Sequence, residues 1–255
     1  MSKKAITETF RIDRSDAISE LSELFRRAVN LIVDSTSSGR FLAEFSKKLP
    51  MLASSGDWHR LCAAMDILED TEAAKANFIR FGLQGQTRHQ DIGETYIRLY
   101  GILNGIYLQR QAVVIIAKYS NHGDLVSLKS KLDKSEVVTL RHKVAVHNLE
   151  CLQDGTVKAY MTSRFELQGT SVSTMDETDK YLTYDLRDCI RSFDSIVIEE
   201  ILHATARLLP KINASDPDKL EMKVLLKHYR NLLGGKKYIS TEGKRVYVVG
   251  MSEPS

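Results

Sequence analysis

From Ile92 to about Tyr119 the sequence repeats apolar residues at the helical period, with Tyr96, Leu99, Leu103, Ile106, Tyr107, Val113 and Val114 on the apolar side. A helix of that length must cover its apolar stripe with other elements, so the run commits the chain to a helix-dominated core. Gly101 and Gly105 sit four apart inside it. Each costs roughly 1 kcal/mol against alanine in a helix interior, so a helix is expected to approach closely there. It comes either from a second copy across a dimer interface or from a tight crossing within the chain.

Further helical periods flank this run. Ser15 is placed to cap a helix reaching about Asp34, with Ile18, Leu21, Leu24, Phe25, Ala28, Val29 and Ile32 inward. Phe41, Leu42, Phe45 and Leu49 mark a short helix stopped at Pro50. Asp57 is read as the cap of another, which carries Leu61, Met65 and Leu68 and continues or restarts through Phe78. Gly82 to Gln90 is a polar loop, and Asn121-His122-Gly123 breaks the long helix. Leu125 to Leu132 is a short amphipathic piece. A central helix is expected from Ser135 to about Cys151, with Asp133 as its cap and Glu136 three residues on.

After Asp154-Gly155 the period changes, with Val157, Ala159 and Met161 alternating, so a strand or hairpin insertion is predicted. Asp179 or Thr183 then starts a long helix to Leu209, ended by Pro210. Asp216-Pro217 opens another, to Leu233. Residues around Lys237 and Arg245 to Val249 flank Thr241-Glu-Gly-Lys as a terminal hairpin. The expected fold is a mainly α bundle over 1–255, read as a single helical domain, with a small β-hairpin insertion and a C-terminal hairpin.

Composition narrows the function classes. Apolar content of 43% and charged content of 27% are those of a soluble globular protein. A net charge of +3 admits nucleic acid as a partner without demanding it. Cys62, Cys151 and Cys189 form no CxxC, so neither a zinc site nor a disulfide framework is expected, and a reducing cytoplasm is the natural compartment. The first residues have no apolar core of a signal peptide, and the longest apolar stretch is far short of a span, so no membrane partner is expected. Glu200 and His203 supply only half of a di-iron signature. A Gly-rich phosphate loop, H-E-x-x-H and G-x-S-x-G are all missing from the sequence, so no metal and no cofactor is expected. Gln109-Arg110-Gln111 interrupts the long helix and reads as a solvated patch, with Arg110 as an alternative phosphate contact.

The chemistry concentrates at Leu140-Arg-His-Lys-Val-Ala-Val-His-Asn148. Arg141, His142, Lys143, His147 and Asn148 bring one guanidinium, one ammonium, two imidazoles and an amide around a small apolar patch. On a straight helix Arg141 and His147 point about 120° apart, while Asn148 falls nearly under Arg141. One helix therefore presents a broad polar face, which a second copy across a two-fold axis can close into a site. The bland alternative is a solvated basic face.

Arg141, five intervening residues and His147, within a late helix of a mainly helical chain, resembles the HEPN signature of Arg, four to six residues and His. His142 stands at the polar position that usually follows the Arg. The preceding run from Tyr96 to Gln111 is similar to the long helix before the motif in bacterial members, and the resemblance covers about 92–209. It implies a metal-independent endoribonuclease, acting in phage defence or as a toxin, with RNA as substrate. It also implies a homodimer with a composite site and an antitoxin or other regulatory protein as a further partner. On that resemblance Arg141 and His147 are the catalytic pair. His147 serves as general acid or base and Arg141 holds the phosphate. His142, Lys143 and Asn148 bind substrate, with Lys143 at the phosphate backbone.

Two other classes remain open from the sequence. One is a non-catalytic HEPN-like module that binds a nucleotide, an RNA or a protein. The other is a helical interaction protein whose basic helix is only surface.

Overall fold

The computed structural model describes residues 6–10, 17–34, 47–86, 91–146, 151–153, 156–213, 217–233, 238–242 and 245–249. The architecture is mainly α with a small β insertion and a terminal hairpin. It consists of two compact units, one of Met1–Asp57, Tyr119–Asn121 and Ile198–Ser255, the other of Trp58–Lys118 and His122–Val197. The division cuts through the 92–209 core expected from the sequence.

In the first unit helix α1, Ala17–Asp34, buries Ile18, Leu21, Phe25, Ala28, Val29 and Ile32, as its period predicts. Of the short helix expected before Pro50, Phe41, Leu42 and Phe45 lie outside the described residues, while Leu49 is buried.

The other unit is built on two long helices. Helix α2, Ser55–Phe81, is one uninterrupted element. Its cap is Ser54 and not Asp57: Asp57 N–H donates to Ser54 Oγ at 3.1 Å, and Ser54 N–H donates back to Asp57 Oδ2 at 3.2 Å. Asp57 is thus the reciprocal partner in a capping box. Helix α3, Ile92–Tyr119, has the predicted length and buries Leu99, Leu103, Ile106 and Val113. Asp91 Oδ1 accepts from Glu94 N–H at its start. A Cβ added at Gly101 or Gly105 would meet nothing within 4 Å among the described residues, so none of the described elements crosses tightly there.

Helix α4, Leu125–Asp133, follows, capped by Asp124. Helix α5, Glu136–Arg141, is far shorter than the expected central helix. Ser135 stands at its N-cap position, and Asp133, expected as its cap, closes α4 instead. At His142 the backbone changes to a π turn, His142–Val146. Cys151, expected on the helix, opens strand β2, Cys151–Gln153, which pairs antiparallel with β3, Thr156–Lys158, across Asp154-Gly155. An Asp-Gly pair between two strands is a strong hairpin signal.

The insertion continues with β4 (Tyr160–Thr162), β5 (Ser171–Asp176) and β6 (Tyr181–Asp185), an antiparallel sheet in that order. Helix α6, Leu186–Leu208, starts later than expected because Tyr181 to Asp185 pair with β5. Asp185 Oδ1 accepts from Arg187 N–H and caps it. The loop after α2 grips the insertion. Gly82, at φ 64°, brings its Cα face against the Gly169 carbonyl, 2.6 Å from where a Cβ would sit, and Leu83 N–H donates to that carbonyl. Gln84 bonds both Leu167 O and Gly169 N–H.

The C-terminal part of α6, from Ile198, returns to the first unit and ends in a 3₁₀ turn, Leu209–Lys211, that contains Pro210. Helix α7, Pro217–Leu233, follows with proline at its first position, as predicted. Arg27 of α1 pairs with Asp218 at 2.5 Å and Glu221 at 3.1 Å on α7, and the Tyr229 hydroxyl donates to Glu20. The terminal hairpin is β7, Tyr238–Glu242, with β8, Arg245–Val249, antiparallel. Strand β1, Ile6–Phe10, adds to β8 in parallel, a pairing the sequence did not predict.

Candidate functional site

The site is organised by Tyr107, on α3. Arg141, the last residue of α5, lays its guanidinium over the Tyr107 ring with Cζ 3.8 Å from the centroid. Its Nε donates to Asn104 Oδ1 at 3.1 Å, one turn earlier on α3. His142 meets the same ring edge-on, centroids 5.9 Å apart at 82°. Arg110 comes within 5.9 Å of the ring from the next turn of α3. One aromatic ring thus gathers two guanidiniums and an imidazole, an arrangement its negative face favours.

The two arginines are satisfied differently. Arg110 forks onto Asp133, Nε and Nη2 donating at 2.8 and 2.7 Å, a bidentate pair. Arg110 is therefore not the solvated patch expected from Gln109-Arg110-Gln111, and Gln109 is fully buried and donates to Glu72. Arg141 is half-buried and, among the described residues, has no carboxylate partner. Burial lowers its pKa, while Tyr107 works in the other direction. A guanidinium stays cationic regardless. Its charge is held by a π face and an amide oxygen, neither of which neutralises it.

Lys143 has a different place from the one expected of a phosphate contact. It is 6% exposed, its Nζ donates to the Tyr184 hydroxyl at 2.9 Å, and it lies over the rings of Tyr160 and Tyr184. A cation committed to β4 and β6 in this way ties the π turn to the insertion sheet and leaves the surface. His147 and Asn148 lie outside the described residues. The structure therefore brings together Arg141 and His142 of the expected set. It adds Tyr107 and Asn104, which sequence reasoning did not single out. The one signal for them was a polar Asn among the apolar residues of α3, three positions before an aromatic.

Two other groups bear on the chemistry. Cys189 is buried with Sγ 3.6 Å from Glu136 Oε2, and burial together with that carboxylate pushes its thiol up to about 12. It is a protonated, inert thiol at neutral pH, not a nucleophile. Glu200 of the half di-iron motif is bonded to Arg207, while His203 is exposed. Among the described residues no group of three or more His, Cys, Asp or Glu is placed to hold a metal ion, and no helix is long and apolar enough to cross a membrane.

The arrangement can bind an anion at Arg141 and orient it against the His142 and Tyr107 rings. No protein-family model, no curated protein and no solved structure matches the chain.

Proposed function

We propose that the chain is a metal-independent endoribonuclease of the HEPN type, in which Arg141 holds the scissile phosphate. One observation carries this reading: a half-buried guanidinium over a tyrosine ring, without a carboxylate partner among the described residues. A cation held that way is preorganised for a phosphate that brings the missing negative charge. In the reaction the RNA 2′-OH attacks the adjacent phosphorus, and the bond to the 5′ oxygen breaks. The products are a 2′,3′-cyclic phosphate and a 5′-hydroxyl end. His147, by its place in the motif, takes the 2′-OH proton or gives one to the leaving oxygen. His142 and Asn148 orient the substrate. Lys143 positions the π turn through Tyr184 and does not contact substrate.

A homodimer completes the site. Helix α3 supports it with an outward stripe of Ile97 (73% exposed), Tyr100, Gly101, Gly105 and Leu108 (45% exposed). The stripe includes Asn104, which holds Arg141, so a second copy seated there reaches the Arg141 cluster. A role in phage defence or as a toxin, held off by a regulatory protein, follows from the same motif, as does a cytoplasmic setting. The inward turn of Lys143 favours a second reading, a module that binds RNA or a nucleotide without cutting it, because it leaves fewer cations for substrate.

The test is incubation of the chain with mixed cellular RNA in excess EDTA, beside Arg141→Ala and His147→Ala. Cleavage by the wild type alone, with cyclic-phosphate ends and both variants folded, supports the enzyme. Binding without cleavage selects the module. Neither binding nor cleavage removes both.

A further inference from the structure

Helix α7 presents a row of cations along one groove. Lys219, Lys223, Lys227 and Arg230 line a groove of about 470 Å³ whose floor includes Leu209 and Leu226. At about 100° per residue these four cations fall within an arc of about 80°, beside the buried face of Met222, Leu226 and Tyr229. The acidic residues Asp218 and Glu221 fall on the other flank, where Arg27 takes them. Among the described residues that line the groove there is no carboxylate. The spacings Lys219–Lys223, Lys223–Lys227 and Lys227–Arg230 are those at which like charges meet on a helix, and each repulsion works against α7. Lys219 is fixed at one end by donating to the Ile212 carbonyl.

We infer that this groove binds the sugar–phosphate backbone of single-stranded nucleic acid. Eleven residues of helix separate Lys219 from Arg230, about 16 Å, and successive lysines advance by about 6 Å. A row of that length outreaches a single phosphate or headgroup and follows a chain of them. The concave wall and its apolar floor suit a strand laid lengthwise, whereas a flat lipid surface meets projecting cations. Charge in such a groove supplies affinity without reading sequence.

The experiment uses the full chain and a fluorescein-labelled oligothymidylate followed by anisotropy. This probe lacks the 2′-OH, so it is not cut by the proposed reaction, and its binding is scored apart from cleavage. Lys223→Gln/Lys227→Gln is expected to bind about tenfold or more weakly at low salt, with a salt slope shallower by about 1.4 for two lost contacts. Both side chains are exposed, so the fold is kept, as circular dichroism checks. Lys129→Gln/Lys134→Gln, with the same change of net charge in the other unit, is expected to bind as the wild type. Equal weakening by both lysine pairs reduces the effect to net charge and overturns the assignment. So does binding of ATP as tight as that of the oligomer, or binding of phosphatidylserine vesicles without the oligomer.

Discussion

Two cations of the same unit, Lys75 and Arg141, are held in opposite ways. Lys75, on α2, is 2% exposed, with Nζ 2.5 Å from both Glu72 and Asp194. Gln109 of α3 donates to the same Glu72 oxygen, so α2, α3 and α6 are joined through one ammonium. Arg141 has a ring and an amide instead, and no acid among the described residues. The first cluster is closed in charge: its ammonium is held between two carboxylates. The second is open, with charge held in place and not neutralised. A buried ion network serves the fold, and a cation braced only by neutral groups is one that a ligand can use.

The largest effect that would sharpen this contrast comes from Lys75→Met. It leaves Glu72 and Asp194 facing each other without a cation, and removal of one partner from a buried pair costs about 3–5 kcal/mol. Urea unfolding at neutral pH measures it, and a loss below about 1 kcal/mol would show that the network is not closed as described. Arg141→Ala is expected to do the reverse. Its stability should change by no more than about 1 kcal/mol, while RNA cleavage falls roughly 100- to 1,000-fold, as for loss of one charge-stabilising donor. A large loss of stability with cleavage intact would make Arg141 a second Lys75.

The two clusters also differ in how far the sequence announces them. Helix α3 was legible from end to end because its apolar period is long and its breaker, Asn121 at φ 66°, is a residue that tolerates that backbone. The Asp-Pro start of α7 and the terminal hairpin were equally plain. The expected central helix gives way to a π turn after Arg141. Val144, Ala145 and Val146 fit a helical period and a strand approach alike, and the π turn that follows Arg141 has no sequence signature. Tyr181 to Asp185 read as either element from sequence, and their pairing with β5 moves the start of α6 to Leu186. At the site, Arg141 was legible as chemistry, but its partners Asn104 and Tyr107 lie on another helix and meet it only through the fold. Lys143 runs against its residue type: a lysine is almost never buried unless paired, and pattern alone does not reveal two tyrosines waiting for it.

A smaller effect probes the brace itself. Tyr107→Leu keeps the apolar bulk and removes the negative ring face beneath Arg141. A cation–π contact at a partly exposed site is worth about 0.5–2 kcal/mol, so cleavage should fall by between about twofold and thirtyfold. Tyr107→Phe keeps the ring and should retain most activity. If Phe fails as badly as Leu, the hydroxyl and not the ring face is what matters at Arg141.

The smallest effect is a pH dependence that belongs to the closed cluster alone. Burial raises the pKa of Glu72 above its ordinary 4.5 and that of Asp194 above its ordinary 3.8, outweighing the attraction of Lys75. The folded chain therefore holds these protons more tightly than the unfolded chain. As pH rises from about 4, the unfolded state releases them first, so the stability they contribute is present at acid pH and is lost as pH climbs through the raised values. Asp194→Asn removes one of the two groups and leaves Lys75 paired with Glu72. Melting temperature followed from pH 4 upward should then decline less steeply in the variant than in the wild type. A steeper decline would mean that Asp194 is stabilised as an anion in the fold, with Lys75 winning over burial. No such difference is expected between Arg141→Ala and the wild type, because Arg141 does not titrate in this range and has no acid among the described residues to shift.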